Sequence, residues 1–113
     1  MKFGILIQEG PNHEAADSAY NFITSALGRG HTIQGVFFTN DGLTNVTKYI
    51  SLHSGNIISD RWRWSELGAK GIDIVANHRG INKDVIVPNV RISGFGQLLE
   101  IAMNSDRLIT FGN

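Results

Sequence analysis

The stretch Phe3-Gly4-Ile5-Leu6-Ile7, closed by Gln8-Glu9-Gly10-Pro11-Asn12, decides the fold of this chain. A short and almost continuous apolar run that stops at turn-forming residues reads as a strand covered on both faces, the form strands take inside a parallel sheet. We read it as the central strand. From Glu14 to Gly28 the apolar residues Ala16, Ala19, Tyr20, Ile23, Ala26 and Leu27 recur at helical spacing. Asn12 is placed to cap that helix, and Gly28 or Gly30 to stop it. Thr32 to Phe38 is then β-branched and aromatic and runs into the turn signal Asn40-Asp41-Gly42. Strand, helix and strand in this order make a right-handed parallel crossover.

Working outward, residues 43 to 57 are polar and weakly periodic, and we read them as a functional or interface loop. Ser59 to Lys70 is predicted as a helix stopped by Gly71, with Trp62, Leu67 and Trp64 available for contact with the sheet or a neighbour. Ile72 to Ala76 is predicted as the third strand. Val85-Ile86-Val87, ended by Pro88, is predicted as an edge strand. Phe95, Leu98, Leu99, Ala102 and Met103 follow the i, i+3, i+4, i+7, i+8 pattern of a last amphipathic helix, before a strand at Leu108 to Phe111. The whole predicts one domain over residues 1–113, a three-layer α/β/α sandwich with a mostly parallel, about five-stranded sheet of Rossmann-like topology. Ligands of such sheets sit beyond the carboxyl ends of the strands. That directs attention to residues 9–13, 39–45 and 76–83.

Composition narrows the function. Of 113 residues, 42% are apolar and 18% charged, and no stretch reaches the ~18 apolar residues of a membrane span. The opening apolar run is too short for a secretion signal, so a cytoplasmic protein is expected. Ten Lys and Arg balance ten Asp and Glu, which leaves no net field for steering onto nucleic acid, and no direct nucleic-acid contact is expected. The chain has no cysteine, which excludes thiolate catalysis, zinc-thiolate sites and disulfides within it.

Motifs that carry chemistry are sparse. No phosphate-binding G-x-G-x-x-G or G-x-x-x-x-G-K-[ST] occurs, and no G-x-S-x-G elbow anchors a hydrolase. His13, His31, His53 and His78 are not paired at i, i+3 or i+4, so neither a metal nor another cofactor is expected. His78 followed by Arg79 directly after a predicted strand is the exception in position: a base beside a fixed cation there can take an anion or move a proton. With Asn77 and Asn12 they form the candidate ligand site. Gly94-Phe95-Gly96 reads as a tight turn into the last helix. Arg61-Trp62-Arg63-Trp64 interleaves cations with indoles; we assign Trp62 and Trp64 to a protein interface, which selects for such side chains.

These residues also resemble a known family. Met1 to Pro11, Ala16-Asp17-Ser18-Ala19-Tyr20-Asn21-Phe22, Gly30-His31, Val36-Phe37-Phe38 and Asp41-Gly42 are similar to the first half of DsrE/TusD proteins. Arg91-Ile92-Ser93-Gly94-Phe95-Gly96-Gln97-Leu98-Leu99-Glu100 and Asp106 to Gly112 resemble the closing segment of the same family. The resemblance implies an α/β fold and assembly, as a hexamer of like or related DsrE/DsrF/DsrH-like subunits, with a sulfur-carrier protein as a further partner. It implies a role in passing sulfur as a cysteine persulfide, toward 2-thiolation of the tRNA wobble uridine or in sulfur oxidation. In active members the cysteine follows the strand corresponding to Ile72-Asp73-Ile74-Val75. Ala76 is the expected occupant here, and the segment after it is shortened. The resemblance therefore implies a subunit without the carrier group, and whether the chain is an enzyme stays open. The alternative is a small-molecule or anion-binding regulatory domain using His78 and Arg79; a third reading makes His78 a general base.

Overall fold

The structure, a computed structural model, describes residues 1–10, 14–48, 57–78 and 83–112, with the side chains of 57–61 outside the description. Five strands form one sheet in which every pairing is parallel: β1 (Lys2–Ile7), β2 (Thr32–Phe38), β3 (Ile74–Asn77), β4 (Arg91–Ser93) and β5 (Arg107–Phe111), in the order β4-β3-β2-β1-β5. Helices α1 (Glu14–Gly28) and α2 (Ile57–Ala69) cover one face, and α3 (Phe95–Met103) the other. The α/β/α arrangement is the expected one. β1 lies inside the sheet, but the centre belongs to β2, because β5 rather than a further pair of strands closes the side of β1.

The alternation of side chains along each strand sorts the core into two unequal parts. Ile5, Ile7, Val36, Phe38, Ile74 and Ala76 point toward α1 and α2, where Ala19, Ile23, Trp64 and Leu67 meet them. Phe37 and Val75 point the other way, to Ile101 and Leu98 of α3. Both α1 and α2 end as the glycines require. Gly30 and Gly71 have φ of 83° and 96°, and each closes a Schellman cap: His31 N–H donates to Ala26 O and Gly30 N–H to Leu27 O, while Ile72 N–H donates to Leu67 O and Gly71 N–H to Gly68 O.

Two predicted elements are corrected. Residues 85–87 do not form the edge strand. Val85 ends a short 3-10 turn (Lys83–Val85), and Ile86 makes only an isolated antiparallel bridge to Thr47. Pro88 cannot donate and Asn89 takes a φ of 66°, so the extended chain breaks there and resumes as β4. Within α2 the two indoles divide between core and surface. Trp64 is fully buried, edge-on to Phe38 and Tyr20 at 4.9 and 5.7 Å between ring centroids, whereas Trp62 is 44% exposed. Residues two apart on a helix sit on nearly opposite sides, so burial of Trp64 together with Leu67 turns Trp62 outward. Trp64 is therefore a core residue and not an interface residue.

Candidate functional site at the carboxyl ends of the strands

The carboxyl ends of β1, β2 and β3 are joined by buried amides and a hydroxyl. Phe38 ends β2, and the next residue, Thr39, donates its N–H to Ile7 O at 3.1 Å. The chain then turns through a 3-10 segment, Asn40–Val46, in which Gly42 lies so close over the Ile7 carbonyl that a Cβ there would collide with it. That contact brings Asn45 inside: its Nδ2 donates to Glu9 O at 2.8 Å and Gly42 O at 2.9 Å. From β3, Asn77 donates through Nδ2 to Thr39 Oγ1 at 3.1 Å. Thr39, Asn45 and Asn77 are all buried, and each amide is satisfied where an unpaired one would cost about 1–3 kcal/mol.

Position along β3 separates the candidate residues. Ala76 is fully buried and belongs to the apolar core under α1 and α2. Asn77, the next residue, points to the opposite face and is 2% exposed. His78 is exposed; its N–H donates to Ser93 O at 2.8 Å, and its ring packs over Gly94, where a Cβ would stand 3.2 Å from the ring. Arg79 and Asn12 lie outside the described residues. Of the ligand set proposed from sequence, the structure thus places Asn77 and His78 at the end of β3, with Asn77 tied to the loop after β2 and His78 to the end of β4. Thr39 and Asn45 were not singled out by sequence; their signal was the turn Thr39-Asn40-Asp41-Gly42 after a strand.

Thr39, Asn45 and Asn77 bring neutral hydrogen-bonding groups to this site. Among the described residues no group of three or more His, Cys, Asp or Glu is placed to hold a metal ion. A cavity of about 490 Å³ lies away from His78, beside the outer edge of β4, lined by Lys83, Ile86, Pro88 and Arg91 among others. At the opposite ends of the strands, Arg91 makes a bidentate pair with Asp73 at 2.7 and 2.9 Å. The hydrogen bonds that the Arg91 guanidinium donates to the Asp73 carboxylate raise the Arg91 pKa above its ordinary value, against the smaller opposing effect of partial burial. No helix among the described residues is long and apolar enough to cross a membrane.

Known proteins share this architecture and much of this sequence. The crystal structure of the ychN protein from E. coli superimposes with a TM-score of 0.75, covering 98% of this chain and all of that one; at 16% identity the likeness is one of fold. A DsrE protein of Allochromatium vinosum is 41% identical over an alignment of 133 positions covering all of both chains. A protein of Pseudomonas aeruginosa named sulfurtransferase TusD homolog is 33% identical over 135 positions, covering 99% of this chain and 98% of its own. Both alignments are longer than the 113 residues present here, so these relatives hold segments that this chain lacks. The profile of the DsrE/DsrF-like family matches residues 1–111, and on that match and the full-length identity to its relatives the chain belongs to the DsrE/DsrF-like family.

Proposed function

We propose that this chain is a single-domain, cytoplasmic subunit of a sulfur-relay complex that takes part in assembly and does not carry sulfur itself. The observation that carries this reading is the absence of cysteine from a sequence whose family match spans residues 1–111. Persulfide relay needs a thiolate that attacks a sulfane sulfur, holds it as a persulfide and yields it to the next thiolate; no hydroxyl or imidazole does this. The relatives named sulfurtransferase supply the reaction class, and the served pathway would be tRNA wobble-uridine thiolation or sulfur oxidation. Its partners would be cysteine-bearing DsrE/DsrF/DsrH-like subunits, in a hexamer, together with a sulfur-carrier protein. Trp62, exposed on α2, remains an interface candidate.

The burial of Ala76 supports a silent role. A side chain at 76 faces the apolar core, where even a thiol would be held neutral and out of reach. Native mass spectrometry tests the proposal: the chain is mixed with cysteine-bearing relay proteins of the same source and the mixture is given a persulfide donor. A hetero-oligomer in which only the partners gain the mass of sulfur is the expected result. A chain that stays monomeric and ignores those partners would overturn it and turn attention to anion binding at His78 and Arg79.

A further inference from the structure

At the amino ends of the strands, opposite the candidate site, a hollow of about 180 Å³ opens between the starts of β1 and β2 and the last turn of α1. Its wall is apolar. Phe3 of β1 and Phe22 of α1 meet edge to face at 5.1 Å between ring centroids, and the His31 ring stands edge to face on Phe3 at 5.5 Å. Rings held in perpendicular contact, beside the buried Ala26, give the hollow a shape that is set before any ligand arrives. Phe3 and Phe22 nevertheless remain only half-buried. Ser25, Arg29 and His31 complete the lining, and no carboxylate is part of it.

These polar groups are set out as donors. The Met1 nitrogen lies 3.2 Å from His31 Nδ1, which makes Nδ1 the acceptor and leaves the Nε2–H free to donate. The Arg29 guanidinium has no ion-pair partner among the described residues. Its position is fixed by the backbone: Arg29 N–H donates to Ser25 O and Ala26 O, and Gly30, at a φ of 83°, turns the chain so that His31 returns beside Phe3. Together with the Gly30 N–H bond to Leu27 O, these contacts occupy the last carbonyls of α1, which would otherwise repel a negative group at a helix C-terminus.

We infer that this hollow binds a small organic acid with an apolar body, its carboxylate held by Arg29 with His31 and Ser25 and its body laid against Phe3 and Phe22. A guanidinium presents a planar fork that matches a carboxylate, and a lining with a fixed cation and no negative group rejects amines. The volume lies below the about 300–1,000 Å³ of sites for drug-sized ligands, which limits the occupant to about one ring. The inference goes beyond the subunit reading and does not rest on it, because the hollow lies at the other end of the strands from position 76.

The experiment titrates sodium benzoate into the whole chain and follows the ring signals of Phe3, Phe22 and His31 by NMR, with sodium acetate and benzylamine as comparisons at equal ionic strength. The expected result is saturable shifts of those rings with benzoate, in the millimolar range usual for a one-ring ligand, and weaker or no saturation with the other two. Arg29→Gln should weaken benzoate about tenfold, the worth of a hydrogen bond to a charged group, and should keep the fold because Arg29 is exposed. Absence of saturation with benzoate, or an affinity unchanged in a folded Arg29→Gln, would overturn the proposal. Benzylamine binding as tightly as benzoate would overturn it in favour of a plain apolar hollow, and acetate binding as tightly would overturn it in favour of a bare anion site.

Discussion

Gly4 of β1 and Gly35 of β2 are partners in the parallel register, and Ile101 of α3 rests over both. A Cβ on Gly35 would stand 2.7 Å from Ile101 Cδ1 and 2.8 Å from its Cγ1, and one on Gly4 would stand 2.9 Å from Ile101 Cγ2. Two adjacent strands thus give up side chains at one level so that a single branched residue can seat the helix. Gly35→Ala should cost about 1–3 kcal/mol through overpacking. Adding Ile101→Val should recover part of the loss, since the two positions share one contact. Urea unfolding of the single and double variants checks both.

Trp64 is fully buried, and its Nε1–H has no hydrogen-bond partner among the described residues. Trp64→Ala should cost about 3–5 kcal/mol by opening a cavity between α2 and the sheet. Trp64→Phe should cost far less than the lost volume suggests, because it also removes a buried donor that is unsatisfied. Chemical denaturation of the two variants side by side distinguishes them; equal losses would refute the argument.

The Asn77 to Thr39 hydrogen bond ties the end of β3 to the loop after β2. Thr39→Val leaves a buried amide without its acceptor and should cost about 1–3 kcal/mol. Asn77→Ala should cost a similar amount, and the double variant less than the sum. A double-mutant cycle measured by thermal unfolding gives the coupling directly.

Ala76→Cys would introduce the only thiol of the chain in an apolar core. Burial of that kind favours the neutral thiol over the thiolate, so the residue should be inert to a thiol reagent in the folded protein and react only in urea. Fast labelling of the native variant would show that position 76 is open and would weaken the burial argument for a silent subunit.

Arg91 and Asp73 are partly exposed, with 49% and 34% of their side chains accessible, so their bidentate pair is screened by solvent. Asp73→Asn should cost no more than about 1 kcal/mol, less in high salt. Because the folded-state pKa of Arg91 is raised, its contribution is complete below the ordinary arginine range and disappears only as pH rises through the higher folded value. The Arg91 contribution should therefore be constant from neutral to mildly alkaline pH, which a series of melts checks.

Much of the architecture was legible because apolar periodicity is dense where burial is complete. The run Phe3 to Ile7, the helix from Glu14 to Gly28 and the strand Thr32 to Phe38 all stand within a residue of their reading. β4 was missed because Arg91-Ile92-Ser93 is a three-residue edge strand with one half-buried apolar side chain, too little to register beside the more apolar Val85-Ile86-Val87. The assignment of Trp64 to an interface failed for a similar reason: the phase of α2 is fixed by contact with Phe38 and Tyr20, which local sequence does not reveal. The loops of the candidate site were found from the rule that ligands gather at carboxyl strand ends. The bonds among Thr39, Asn45 and Asn77 depend on how those loops cross and were not readable along the chain.

The pairing of β1 with β5 also sets the order in which this protein can be made. Phe3 aligns with Arg107 and Ile7 with Phe111, so one edge of β1 keeps its backbone N–H and C=O groups unpaired until β5, more than a hundred positions further along, has been synthesised. The nascent β1-α1-β2 unit therefore carries an open strand edge while α2, β3, β4 and α3 are being made, and the sheet closes on that side only when β5 arrives.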